Sequence, residues 1–212
     1  MGLYGRINVI FDFETVVKEM QRKNKLFVSE RNLQTEFIIT ANTLYPGLAY
    51  YPEFVYENCG KTYHIDLVIS DGNETIPIEF KYVTQGGKIC LVNCVYELKN
   101  HAAIDVRRHQ FVKDVSRLEE FKSIYQNVPC GYALLVTNMR GFWKGSPKSK
   151  AATQFDIYDG STLSQGTHAF GGGYKICATY SPVTLTNSYH INYRDYIKGA
   201  DGKEYKYLVV KV

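Results

Sequence analysis

The spacing of apolar residues changes several times along the chain, and each change marks an element. Over residues 12 to 25, Phe13, Val16, Val17 and Met20 share one side at helical spacing, which predicts a first helix. Ser29 stands before a second run, where Leu33, Phe37, Ala41 and Leu44 recur at helical spacing until Pro46-Gly47 stops it. The pattern then becomes strand-like: EFVYE, TYHIDLVIS and TIPIEFKY predict three strands joined by turns at NCGK and DGNE. Ile104, Phe111, Val115 and Leu118 return to the helical period within residues 102 to 123. GYALLVT, residues 131 to 137, is an apolar run between Pro129 and Asn138 that suits a buried strand. Beyond Asn138 the pattern predicts a loop, MRGFWKGSPKSK, then short strands around FDIYDG, YKICATY and the terminal YKYLVVKV. The run Gly171-Gly172-Gly173 lacks the Gly-Lys-Ser/Thr ending of a phosphate-binding loop and reads as a turn.

The order helix, strand, strand, strand, helix, strand predicts an α/β fold in which a meander is joined through a crossover helix to a further strand. No internal repeat or linker divides the chain, so residues 1–212 read as a single domain, with a core over 29–137 and a β-rich extension over 138–212. Acidic residues interrupt each candidate apolar span, so neither a signal peptide nor a membrane helix is expected. The five cysteines are odd in number and lack paired CxxC spacing, which predicts reduced, mostly buried thiols in a cytoplasmic protein. Net charge is +4 but uneven: residues 98 to 150 hold ten Lys or Arg against four Asp or Glu. That imbalance suits a phosphate-bearing partner, and a solvated basic face explains it as well.

Within the stretch HIDLVISDGNETIPIEFKY, Asp66, Glu79 and Lys81 interrupt apolar strands. Strand alternation puts Glu79 and Lys81 on one face, with Ile78 and Phe80 on the other. Likewise His64, Asp66 and Val68 oppose Ile65, Leu67 and Ile69. A two-residue loop at Gly72-Asn73 pairs Ser70 with Thr75 and sets Asp66 against Glu79; a loop at Asp71-Gly72 leaves the two carboxylates diagonal. Like charges so placed repel unless a cation compensates. Lys81 supplies one charge, and a divalent ion such as Mg²⁺, which prefers oxygen ligands, would supply more. Glu36, at the edge of the second helix's apolar stripe, can reach toward this face, whereas Glu30 in the first turn is explained by the helix dipole. An exposed strand face carrying a lysine and carboxylates accounts for the same residues without any metal.

An acidic residue on a first helix, an Asp in the second strand and Glu-x-Lys in the third resembles the PD-(D/E)xK, or restriction-endonuclease-like, nuclease superfamily. The elements here are Glu36, Asp66 within HIDLVI, and Glu79-Phe80-Lys81 within IEFKY, and the likeness in element order spans residues 29 to 137. YELKNHAAIDVRRHQFVKDVSRLEEF, GYALLVTN and FDIYDG look like a bacterial branch of that superfamily. Ile65 stands where many members have proline before the Asp. The resemblance implies an α-β-β-β-α-β core, a mixed sheet flanked by helices, and an endonuclease that hydrolyses phosphodiester bonds of nucleic acid; the leading expectation is double-stranded DNA in a restriction or defence role, with DNA against RNA left open. It implies that Asp66, Glu79 and the Phe80 carbonyl hold Mg²⁺ or Mn²⁺, that Lys81 orients the attacking water, and that Glu36 acts through water or a second metal.

On the crossover helix Arg107, Gln110, Asp114 and Arg117 lie along one flank, where Gln110 and Arg117 face either the reacting centre or the phosphate backbone. Helix-surface ion pairs explain the same residues. The basic loop around Trp143, with Arg140, Lys144, Lys148 and Lys150, has the character of a nucleic-acid contact. His64 reads as a strand-face histidine. Two other functions stay open: a nuclease-fold subunit that binds nucleic acid or a partner without cutting, and a β-rich interaction protein whose charged hairpin faces solvent. The extension after residue 150 can complete the sheet, recognise a target or support a homodimer.

Overall fold

The structure, a computed structural model, describes residues 11–23, 25–91, 93–145, 150–172, 179–199 and 202–212. Helix α1 (Phe13–Arg22) starts at Asp12, whose carboxylate accepts the Glu14 N–H at 3.0 Å. Helix α2 (Glu30–Leu44) starts at Ser29, whose hydroxyl accepts the Asn32 N–H at 3.1 Å. Both are N-caps of the expected chemistry. Strands β1 (Ala49–Asn58), β2 (Lys61–Ser70) and β3 (Thr75–Val83) form an antiparallel meander. A hairpin, β4 (Gly87–Leu91) and β5 (Cys94–Leu98), then precedes α3 (Ile104–Ile124) and β6 (Tyr132–Thr137). After β6 come a one-turn helix α4 (Arg140–Trp143) and a 3-10 segment (Lys150–Phe155). The short strands β7 (Thr162–Leu163), β8 (Gly166–His168), β9 (Val183–Leu185) and β10 (Tyr189–His190) pair as β7 with β10 and β8 with β9. Strands β11 (Tyr193–Lys198) and β12 (Glu204–Lys211) close the chain.

The main sheet has six strands in the order β1-β2-β3-β6-β12-β11. It is mixed: β3 and β6 run parallel, joined across α3, and the other neighbours are antiparallel. One apolar layer packs α1 and α2 on Ile78, Phe80, Tyr82, Leu134 and Val136. The other packs α3 on Val83, Ala133, Leu135, Leu208 and Val210. Thus β6, buried along its whole length, feeds both layers, as an unbroken apolar run requires. Among the described residues no helix is long and apolar enough to cross a membrane.

Several expectations need correction. The extension completes the sheet through β12 and β11, but FDIYDG is no strand: its Phe155 and Ile157 enter the core from the end of the 3-10 segment and the coil beyond it. YKICATY lies largely outside the described residues, as do Gly173, Lys148 and Cys177. Cys59, Cys90 and Cys94 are free but exposed, not buried. Leu44, the last residue of α2, is exposed and does not join the helix's buried face. The β4–β5 hairpin was not foreseen, since exposed Val95 and Tyr96 break any alternation.

Helix α3 buries more than its apolar arc. Arg108, His109, Asp114 and Glu119 are all buried, because the sheet covers one side and the extension wraps the other. Arg108 ties that wrapping down. Its guanidinium lies 3.1 Å from Asp156 and donates to the Gly141 carbonyl at 2.6 Å. Glu119 accepts the Thr186 and Asn187 amides and the Tyr189 hydroxyl at 2.7, 2.9 and 2.7 Å. Removing one member of a buried ion pair strands the other away from water, at about 3–5 kcal/mol. Arg108→Ala should therefore lower the unfolding free energy by about that much in urea titrations, whereas exposed Lys144→Ala should change it by less than about 0.5 kcal/mol.

Candidate active site

The site begins where two strands part. The β2–β3 register is the one that pairs Ser70 with Thr75, with Gly72 at φ +90° in the turn, but the ladder stops at Leu67–Ile78. Beyond that point β3 stays paired with β6, while β2 diverges from it. The next outward N–H groups of β3 thus lose their strand partner, and side chains replace it. Asp66 Oδ2 accepts the Phe80 N–H at 2.7 Å, Glu30 Oε2 accepts that of Tyr82 at 2.8 Å, and His101 Nδ1 accepts that of Thr84 at 3.0 Å. Three titratable groups are drawn to one edge by the need to satisfy three amides.

Asp66 reaches that edge because its own strand is irregular. The β1–β2 ladder skips the Glu53–Asp66 pair, and Glu53 adopts φ +51° next to Pro52 on the outer strand. The alternation slips here: Ile65 and Val68 enter the layer under α3, while Leu67 and Ile69 enter the opposite one. Strict alternation across residues 64 to 69 is therefore replaced by an offset at Asp66. Its carbonyl accepts from the Gln34 amide of α2, which holds the offset in place.

Glu79 and Lys81 do share the face toward α3, where they meet Asp114 and Arg117. Lys81 Nζ lies 3.1 Å from Asp114 and 3.7 Å from Glu30. Arg117 reaches Glu79 and Asp114, each at 2.9 Å, and donates to the His64 carbonyl at 2.9 Å. Arg117 is therefore part of the cluster and not free at the surface. Glu36 is elsewhere: it pairs with Lys25 at 2.9 Å, and Glu30, at the start of α2, takes the place expected for it. Helix position explains the difference, because only the first turn of α2 overhangs the end of β3.

The cluster is rich in negative charge. Glu30, Asp66, Glu79 and Asp114 surround two cations, Lys81 and Arg117. Burial, reinforced by Asp114 and Asp66, pushes the Glu79 carboxyl well above its usual range, and Arg117 opposes this only in part. Burial also raises Asp114 and Glu30 against the pull of Lys81. For Lys81, burial opposes the charge but Asp114 and Glu30 outweigh it, and its pKa is pushed up to about 12. Glu79 Oε1 and Asp114 Oδ2 are sealed from solvent and accept no aligned hydrogen bond; the ion-pair contacts are what meet them. Among the described residues no three His, Cys, Asp or Glu side chains form a ready-made metal cage. Asp66 and Glu79, whose carboxyls lie within reach of each other, are the residues that could hold an oxygen-preferring ion such as Mg²⁺, which keeps several waters. The surplus of carboxylates over cations fits the charge of one divalent ion.

The cluster borders a cleft of about 580 Å³ between the start of α2, the end of β3 and the flank of α3. Arg31, Lys99, Arg107 and Lys113 join Lys81 and Arg117 in its lining, against the carboxylates of Glu30 and Asp114. Gln110 lines it too, accepting from Arg107 at 2.8 Å. His101 at the rim is held below its usual pKa by burial and by Arg107 and Lys99, consistent with its Nδ1 acting as an acceptor. Sequence spacing could not place Arg31, Lys99 or His101 here, since a loop and a helix start bring them in. Arg140 and Lys144 do not line this cleft, and Trp143 is buried with Lys206 over its ring, so that loop presents no free aromatic face.

A carboxyl with a raised pKa binds its proton more tightly folded than unfolded. Stability then falls as pH rises from the ordinary carboxyl value through the raised one, and the cost is fully present above it. Glu79→Gln should remove that cost, raising stability at pH 8 in chelator by about 1 kcal/mol and flattening the decline with pH in thermal melts. A destabilised variant would mean that the Arg117 pairing outweighs the repulsion. No family model, curated protein or solved structure matches this chain.

Proposed function

We propose that this chain is a metal-dependent endonuclease of the PD-(D/E)xK kind, hydrolysing phosphodiester bonds in DNA. The observation that carries the reading is the surplus of buried carboxylate around Lys81, set beside a cleft rich in cations. The element order α2-β1-β2-β3-α3-β6, with β4 and β5 as an insertion, supports it. So does the placement of Asp66 and the Glu79-Phe80-Lys81 segment at one strand edge.

The chain's own residues divide the work. Arg31, Lys99, Arg107 and Lys113 bind the phosphates that flank the scissile one, without reading sequence. Lys81, kept protonated by Asp114 and Glu30, faces negative charge as it develops on the phosphate and lowers its energy. Glu79, whose charge is disfavoured by burial and by Asp114 and Asp66, would be stabilised as a carboxylate by an added cation. Asp66, Glu79 and the Phe80 carbonyl would hold Mg²⁺ or Mn²⁺, which supplies an activated water and neutralises the phosphate. An ion held there would compete with Arg117 for Glu79, and an Arg117 released from Glu79 would be available to substrate phosphate.

A second reading has its own support: Arg117 already neutralises Glu79, as it would in a subunit that binds nucleic acid without cutting. Supercoiled plasmid separates the two. The nuclease reading expects nicking with Mg²⁺ or Mn²⁺, none in chelator, and a loss of at least about 100-fold in Lys81→Ala, which a melting curve must show to be folded. DNA retention in chelator with no nicking by the wild type under any divalent ion would favour the binding subunit.

A further inference from the structure

The track of positive charge does not end at Arg117. A second cavity, of about 570 Å³, lies on the other flank of α3, and Lys113 and Arg117 line both spaces. That volume is within the range of small-ligand sites. Among the hydroxyl-bearing residues of its lining stand two tyrosines, Tyr63 and Tyr180, which the first cavity has no counterpart for beyond Tyr82. Tyr63 at the start of β2 lies flat on Tyr56, with ring centroids 5.2 Å apart and planes at 19°. Tyr180, in the same lining, meets His109 edge-on at 5.2 Å, and His109 is itself fixed by the Ser181 carbonyl, 2.9 Å from its Nε2. Each half-buried tyrosine thus has another ring behind it and is held as a stiff platform. Glu120, the carboxylate among the described lining residues, is engaged by Asn58 at 2.8 Å.

A cationic ridge that opens onto rigid aromatic rings is what an unstacked base, tethered to a phosphate chain, needs. A duplex cannot place a base there, because its bases are stacked and paired within the helix. We infer that this cavity seats an unpaired nucleotide adjoining the phosphate bound in the cleft, so that the preferred DNA carries a single-stranded segment. The inference rests on the nuclease reading only for which phosphate is adjacent. Lys113 is the contact shared by both parts of the track, and Tyr63 and Tyr180 are the stacking platforms.

Fluorescence anisotropy in chelator tests this, using a blunt DNA duplex and the same duplex with an overhang of a few nucleotides. The overhang should bind at least about tenfold more tightly, the scale of one base stacked on an aromatic ring. Tyr180→Ala should remove that preference and leave blunt-duplex affinity unchanged. Ser116→Phe, which fills the cavity from α3, should do the same, and it guards against a Tyr180 variant that does not fold. Equal affinity for the two DNAs, binding of neither, or variants that weaken both alike would overturn the inference. Overhang preference without metal-dependent cleavage would overturn only the nuclease reading, and cleavage without overhang preference only this one.

Discussion

Everything at the candidate site follows from the parting of β2 and β3. A strand that loses its neighbour leaves N–H groups that must find acceptors, and each one left buried and unmet costs about 1–3 kcal/mol. Here β3 keeps β6 on one side, while its other side passes from Ile78 onward to Asp66, Glu30 and His101. Their two-residue spacing along β3 is the repeat of outward N–H groups, so the backbone sets the spacing of the titratable groups. The opening also lies along the carboxyl-terminal half of β3, the strand end at which ligand crevices form in open α/β sheets. Satisfying the backbone and assembling a charged site are one solution to one constraint.

That solution is costly in stability. Four carboxylates and two cations share a region from which water is largely excluded, and the Glu79 carboxyl is raised first by burial and then by Asp114 and Asp66. A structural ion-pair network would close its charges, because burying an unpaired charge is expensive. This one leaves a deficit of positive charge beside a cleft that has cations to spare. The two imbalances are of opposite sign: carboxylates are in excess within the cluster and basic residues are in excess along the cleft. Arg117 stands between them, and its guanidinium can serve either side.

Most of the fold was legible because it rests on short-range signals. Ser29 capped α2, the two-residue turn at Gly72-Asn73 set the hairpin register, and the uniformly apolar GYALLVT run gave the doubly buried β6. The site was legible in part. Asp66, Glu79 and Lys81 stand out as charges inside apolar strands, and the structure brings them together. Glu30 did not stand out, since an acid in the first helical turn already has an explanation in the dipole, and the partner that marks it, the Tyr82 N–H, is 52 residues away. Asp114 was hidden in the same way, as one more charge on a helix flank. Trp143 misled because an aromatic among basic residues looks the same whether its ring is outside or packed under Lys206.

The extension was the least legible part, and the reason is physical. Strands of two or three residues carry no period, and their positions depend on distant anchors such as Arg108 and Glu119 of α3. Those anchors are charged residues on a helix, which sequence assigns to solvent. Once the extension is seated, however, it turns the far flank of α3 from a surface into a wall. The crossover helix then has binding groups on both sides: Arg107 and Gln110 toward the cleft, His109 and Ser116 toward the second cavity, and Lys113 and Arg117 shared. Its polar residues do two jobs: His109 and Ser116 bond carbonyls of the extension and hold it in place, while Arg107 and Gln110 pair along the edge of the cleft beside the carboxylate cluster.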